Sequence, residues 1–232
     1  MPAMTRLQLQ TRVGDLIGDP NNTRWSTAKV QDKIQEAQEH FSIDTQAYFR
    51  NYTLSVGDGD FTYTLPTTVL SIYRVIVDNI ELQKITTKEL DALYSDDWTT
   101  ITGTPTHWRV AGAGADSQEL HLFPIPTAAD VGTNNLRIFM SIIPDAMASD
   151  GDYPFTTSSI VNTLFYPYHP AVSYWAASEF LLTDPTPENL VKAKEFMRRY
   201  TEMVDDCINY LRTLMKPTPL RFRGGRYYSG LY

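Results

Sequence analysis

Four histidines, His40, His107, His121 and His169, are the side chains best suited to hold a metal or move a proton in this 232-residue chain. They are scattered, and no HExxH or other paired ligand spacing joins them. His107 and His121 fall on consecutive predicted strands and could face each other across one hairpin, but two ligands without a third make a weak metal centre. Cys207 is the sole cysteine, so neither an intramolecular disulfide nor a cysteine-based zinc site can form. It falls on the apolar stripe of a predicted helix, which suits a small buried hydrophobe rather than a nucleophile. No GxSxG occurs. The glycines at 57–59 and 112–114 lack the following Lys-Ser/Thr or helix of a phosphate cradle and are expected to make turns. Of the carboxylate pairs, Asp96-Asp97 and Asp150/Asp152 fall in predicted loops. Asp205 and Asp206 are neighbours on a helix, about 100° apart, and cannot converge as an acid/base dyad. The residue types point away from catalysis, and no cofactor or metal is expected.

Aromatic and basic residues offer binding chemistry instead. Trp98, Trp108 and the Tyr-rich strands could stack a sugar or a base, although alternating aromatics on strands fit core and cross-strand packing better. The last 17 residues, KPTPLRFRGGRYYSGLY (216–232), hold Lys216, Arg221, Arg223 and Arg226 with no acidic residue, and four aromatics. The net charge of −7 less the +4 of this arm leaves −11 on residues 1–215. Such a body does not bind a polyanion through its general field, and four cations are modest beside the roughly 6–10 phosphate contacts of a strong DNA binder. Pro217 and Pro219 favour an extended exit from the preceding helix. An extended segment of this composition can add a strand to a sheet edge or lay rings into grooves while its arginines pair carboxylates. The residues of this arm expected to touch a protein partner are Arg221, Phe222, Arg223, Arg226, Tyr227, Tyr228 and Tyr232.

The elements behind these residues change period along the chain. Leu9, Val13, Leu16 and Ile17 make a helical stripe within 4–17, stopped at Gly18-Asp19-Pro20. Ser26 caps a second helix with Val30, Ile34, Ala37 and Phe41 on one face. From about residue 48 the period is two: Tyr52, Leu54 and Val56, then a GDGD turn at 57–60, then Phe61, Tyr63 and Leu65. That pattern predicts a hairpin, with Gly57 and Gly59 supplying positive φ. Further strands are predicted at 69–77, 106–111, 118–123 and 135–142, with a strand after Asp78-Asn79 and a short helix at 87–94. Six or seven short strands suffice for a small antiparallel sandwich or barrel. His169-Pro170 opens a helix that is apolar nearly all round and therefore buried. Thr186 caps a last helix of roughly 28 residues, about 40 Å long. The fold class is α+β: a bundle of two N-terminal and two C-terminal helices (1–47 and 165–215) interrupted by an inserted antiparallel β domain (48–146). A link (147–164) and an extended C-terminal arm (216–232) complete it. No run approaches the ~18 apolar residues of a membrane span, and the N-terminus has no apolar signal-peptide core.

A succession of short motifs adds a family likeness. Trp25-Ser26 leads to Ile34-x-Glu36-Ala37, then Tyr63-Thr64-Leu65-Pro66, Tyr73-Arg74-Val75, Leu90-Asp91 before Trp98, and Gly103-Thr104-Pro105. Leu122-Phe123-Pro124-Ile125-Pro126 precedes the strand at 136–143, and Tyr168-His169-Pro170 opens the third main helix. In order and spacing this resembles the head-to-tail adaptor (connector, or neck ring) proteins of tailed bacteriophages over most of residues 5–210. The resemblance implies a virion structural protein of the neck, made in the host cytoplasm, that is not an enzyme. It implies a homo-oligomeric ring of twelve subunits, the portal protein and tail or nozzle proteins as partners, and DNA passing through the lumen without sequence-specific binding. The matched Tyr63, Leu65, Pro66, Gly103, Pro105, Pro124 and Pro126 are expected to determine the fold. The competing expectation is a virion or surface β module that binds carbohydrate or another ligand through exposed aromatics.

Overall fold

The computed structural model describes residues 3–112, 118–157, 160–161 and 163–215, and the chain is mixed α+β. Helix α1 (Arg6–Ile17) begins in a capping box between Thr5 and Gln8 and ends at Gly18, whose φ of 74° closes it in the left-handed region. Buried Asp19 then organises the turn: its carboxylate accepts from the Thr23, Arg24 and Trp25 amides and the Thr23 hydroxyl, at 2.7–2.9 Å. Burial alone would raise its pKa, but these hydrogen bonds bring it down to about 2. Helix α2 (Thr27–Thr45) starts at the Ser26 cap, as its sequence predicts.

Strands β1 (Phe49–Val56), β2 (Thr62–Thr64), β3 (Val69–Val77), β4 (Ile80–Glu81) and β5 (Gln83–Lys84) follow. Helix α3 (Thr87–Tyr94) and a 3-10 turn (Ser95–Thr100) precede β6 (His107–Gly112), β7 (Gln118–Phe123) and β8 (Gly132–Ile142). These strands form two four-stranded sheets, ordered β1-β8-β3-β4 and β2-β7-β6-β5. The hairpin expected across 52–65 therefore does not exist. β1 pairs with β8 and β2 with β7, so the turn at 57–60 carries the chain from one sheet to the other. Only Gly59 of its two glycines has positive φ. Period-two alternation identifies strands but not partners, which is why the two halves read as one hairpin. Nor is the β region wholly antiparallel: β5 runs parallel to β6, with Gln83 opposite His107.

After β8 come β9 (Thr156–Thr157), β10 (Ile160–Val161), a 3-10 turn (Thr163–Tyr168), α4 (His169–Thr183) and α5 (Pro187–Met215). Helix α4 packs against α1, α2 and α5. One continuous hydrophobic core runs from Leu9, Ile34 and Phe41 of the helices through Tyr48 and Met147 into Val75, Leu136 and Ile138 of the sheets. A smaller cluster of Ile85, Leu90, Trp98 and Phe123 lies apart.

The segment after β8 is tied down by buried polar groups. Gln38 donates to the Asp145 carbonyl (3.1 Å) and accepts from the Phe155 amide (3.0 Å), while Gln35 accepts from the Met147 amide (3.2 Å). Arg6 donates to the Met147 carbonyl (2.9 Å) and pairs with Asp150 (2.7 Å). Phe155 sits in the left-handed region at φ 58°, a conformation that these bonds and its burial hold in place.

Candidate partner-binding surface

The residues that sequence singles out for chemistry are absorbed by the fold. Trp108 is 2% exposed and Trp98 9%, so they do not form an exposed stacking platform. Arg109 lies 4.7 Å over the Trp98 ring and Lys84 5.4 Å over that of Trp108. His121 stands opposite Arg109 rather than His107. It accepts from the Arg109 guanidinium (3.1 Å) and donates to Glu119 (3.2 Å). His40 stacks on Trp175. His169 is fully buried, its Nδ1 beside the Met4 backbone at 3.0 Å, and burial pushes its pKa down to about 4. Cys207 is buried, its thiol pushed up to about 12 by desolvation. Among the described residues no group of three or more His, Cys, Asp or Glu side chains could hold a metal ion. Asp205 and Asp206 are exposed on α5, and Asp150 and Asp152 serve structural contacts with Arg6 and Ser149.

An open apolar groove lies where helices and sheet meet. Asp44, Thr45, Gln46, Phe49, Tyr73, Ile208, Leu211 and Arg212 line about 240 Å³. Three elements build it. Helix α2 ends at Gln46, which takes the left-handed conformation (φ 47°) and bonds back to the Ser42 carbonyl at 2.8 Å. This sharp exit sends the chain into β1 and presents Phe49 at the strand's start. In β3, Ile72 pairs with Met140 and Arg74 with Phe139, leaving Tyr73 as the extra residue of a bulge. The bulge lets Tyr73 meet Phe49 edge-on at 5.2 Å and donate from its hydroxyl to the Gln46 carbonyl at 2.9 Å. The third wall is the end of α5. Its Tyr200 donates to the Asp44 carboxylate at 2.6 Å, and burial together with that carboxylate pushes the phenol well above its ordinary pKa. Phe49 is 37% exposed and Tyr73 45%, so two large rings meet solvent side by side.

A second surface feature joins α1, α4 and α5. The Tyr174 hydroxyl accepts from Arg12 (2.9 Å) and Arg199 (3.5 Å), and both guanidiniums lie over its ring, at 5.1 and 5.6 Å. Burial works against ionisation, yet the two cations hold this phenol below its usual pKa. The arrangement is a cross-tie between three helices.

Arg221, Phe222, Arg223, Arg226, Tyr227, Tyr228 and Tyr232 lie outside the described residues. The groove was not legible as a site: Ile208 and Leu211 read as helix stripe and Tyr73 as part of a strand. Its only sequence signal is the aromatic at each strand, with nothing to show that they meet.

The model of one protein family, described as SU10 adaptor protein, matches residues 4–221 of the chain. No curated protein matches it significantly.

Proposed function

Because the chain belongs to the SU10 adaptor protein family, a phage adaptor family whose role is structural, we propose that copies of it form a twelve-subunit ring joining the capsid portal to the tail. The family match over 4–221 carries this reading. In it, residues 1–47 and 165–215 form a helical bundle that docks the portal, 48–146 face tail or nozzle proteins, and 147–164 link the two. The arm 216–232 fastens each subunit to the portal or to a neighbour through Arg221, Phe222, Arg223, Arg226, Tyr227, Tyr228 and Tyr232. A closed ring needs two different contact patches per subunit, and the groove at Phe49 and Tyr73 supports one of them. DNA passes through the lumen without sequence-specific contacts. The charge of −11 on residues 1–215 suits a conduit, since each cation facing a phosphate would add affinity and drag. The protein acts as a virion component of the neck, made in the host cytoplasm. Among the described residues no helix is long and apolar enough to cross a membrane.

The test is reconstitution with portal-bearing capsids, imaged in negative stain. Added protein should build a ring of twelvefold symmetry beneath the portal. Protein that never joins the capsids defeats the reading.

A further inference from the structure

The groove and the arm belong together, and we propose that Phe222 of one copy seats between Phe49 and Tyr73 of the next, with Arg221 and Arg223 reaching the Asp44 and Asp205 carboxylates beside it. This deepens the ring reading above by naming a contact that makes the ring.

Size limits the occupant first. At about 240 Å³ the groove falls below the roughly 300–1,000 Å³ of pockets that take small molecules, and it suits a single anchoring side chain. Its walls fix the chemistry of that side chain. Phe49 and Tyr73 already meet edge-on, and a third ring extends such an arrangement favourably. Ile208 and Leu211 supply an apolar floor. Asp44 and Arg212 lie in the lining, and the exposed Asp205 sits one turn before Ile208 and two turns before Arg212, on their side of α5. Asp205 has no ion pair among the described residues. An aromatic flanked by cations matches these walls, and Arg221-Phe222-Arg223 is the only such triplet in the chain.

Reach decides between the chain's own groove and a neighbour's. Leu211 and Arg212 line the groove, so the arm starts at its edge, four residues beyond Arg212. Lys216-Pro217-Thr218-Pro219 prefers the polyproline conformation, which would carry the chain about 12 Å straight off the helix end. Phe222 lies three residues further on, before the first glycines that could reverse the direction, Gly224-Gly225. Fully extended, the seven residues from Met215 to Phe222 span up to roughly 25 Å. That exceeds the radius of gyration, about 17 Å, of a 232-residue domain, and reaches the next subunit. An arm leaving one edge of a groove and filling the same groove on the next copy is a head-to-tail contact, which generates a ring where its rotation closes.

Disulfide trapping in the full-length chain, in a Cys207→Ala background without any portal present, tests this. Tyr73→Cys protein is mixed with Phe222→Cys protein under mild oxidation, alongside a control in which the exposed Ile80→Cys replaces Tyr73→Cys. The mixed covalent dimer should exceed the control by about tenfold, because docking raises the local thiol concentration. Phe49→Cys serves as a second groove position should Tyr73→Cys fold poorly. Chains carrying both cysteines that link only within themselves would place the arm in its own groove and overturn the proposal. Equal trapping at Ile80→Cys, or none at either groove position, would overturn it too. Neither result bears on whether the protein joins portal-bearing capsids, so the two readings fail separately.

Discussion

Helices α4 and α5 lie against each other and show two ways of using a helix. Eleven of the fifteen residues of α4 are buried, since α1, α2 and α5 cover it. Its Ala171, Ala176 and Ala177 are fully enclosed, and the Ser173 and Ser178 hydroxyls donate to the Pro170 and Trp175 carbonyls at 2.8 Å. Helix α5 is nearly twice as long and buries one stripe, Ala193, Tyr200, Val204, Cys207 and Leu211. Its other face carries charge pairs: Glu188 with Lys192 (2.6 Å), Glu195 with Arg198 and Arg199 (2.8 and 2.9 Å), and Arg198 with Glu202. The contrast separates a hub that stabilises the fold from a strut that presents surface, and substitutions should separate them in the same way.

The largest effect belongs to α4. Phe180→Ala removes a ring that is 2% exposed and packs 5.1 Å from Trp25, and should cost about 3–5 kcal/mol in denaturant unfolding. A loss near zero would break the contrast. Next comes the start of the same helix. Unfolded, the His169 imidazole binds a proton below about 6.5; folded, it does so only below about 4. The unfolded state therefore holds the extra proton between those values, and stability is lost as pH falls through that window, by up to about 1.4 kcal/mol per pH unit. Below about 4 this group adds no further slope. His169→Leu should flatten the dependence, and an unchanged slope would assign it elsewhere. The smallest effect belongs to α5: Glu195→Ala breaks solvent-exposed pairs that screening weakens, and the denaturation midpoint should not move measurably. A clear shift would mean that the outer face of α5 stabilises the fold after all.

The same two helices show what a sequence reveals. Helix α4 was legible because an apolar sequence without a polar face has nowhere to go but inside, and α5 because its stripe keeps the 3.6-residue period to Leu211. Caps were legible for the same local reason: Ser26 and Thr186 each accept from an amide three residues on. Sheet partners were not. Residues 52–65 carry the alternation of a hairpin, but β8 and β7 claim its two halves, and nothing within that stretch records a partner 55–86 positions away. Trp98 and Trp108 were ambiguous until burial decided them. The groove needed a left-handed residue at Gln46, a bulge at Tyr73 and the end of α5 to coincide, and no window of sequence contains all three.

The unbroken core has a mechanical meaning. Helices and sheets are joined twice, at Ala47-Tyr48 and again beyond Ile142, and Ala47, Tyr48, Ile142 and Met147 are all buried at the junction. Two buried crossings cannot act as a hinge, because bending one would shear the packing around the other. A load on the sheets is therefore passed to the helices through close-packed side chains, as through a keyed shaft rather than a joint.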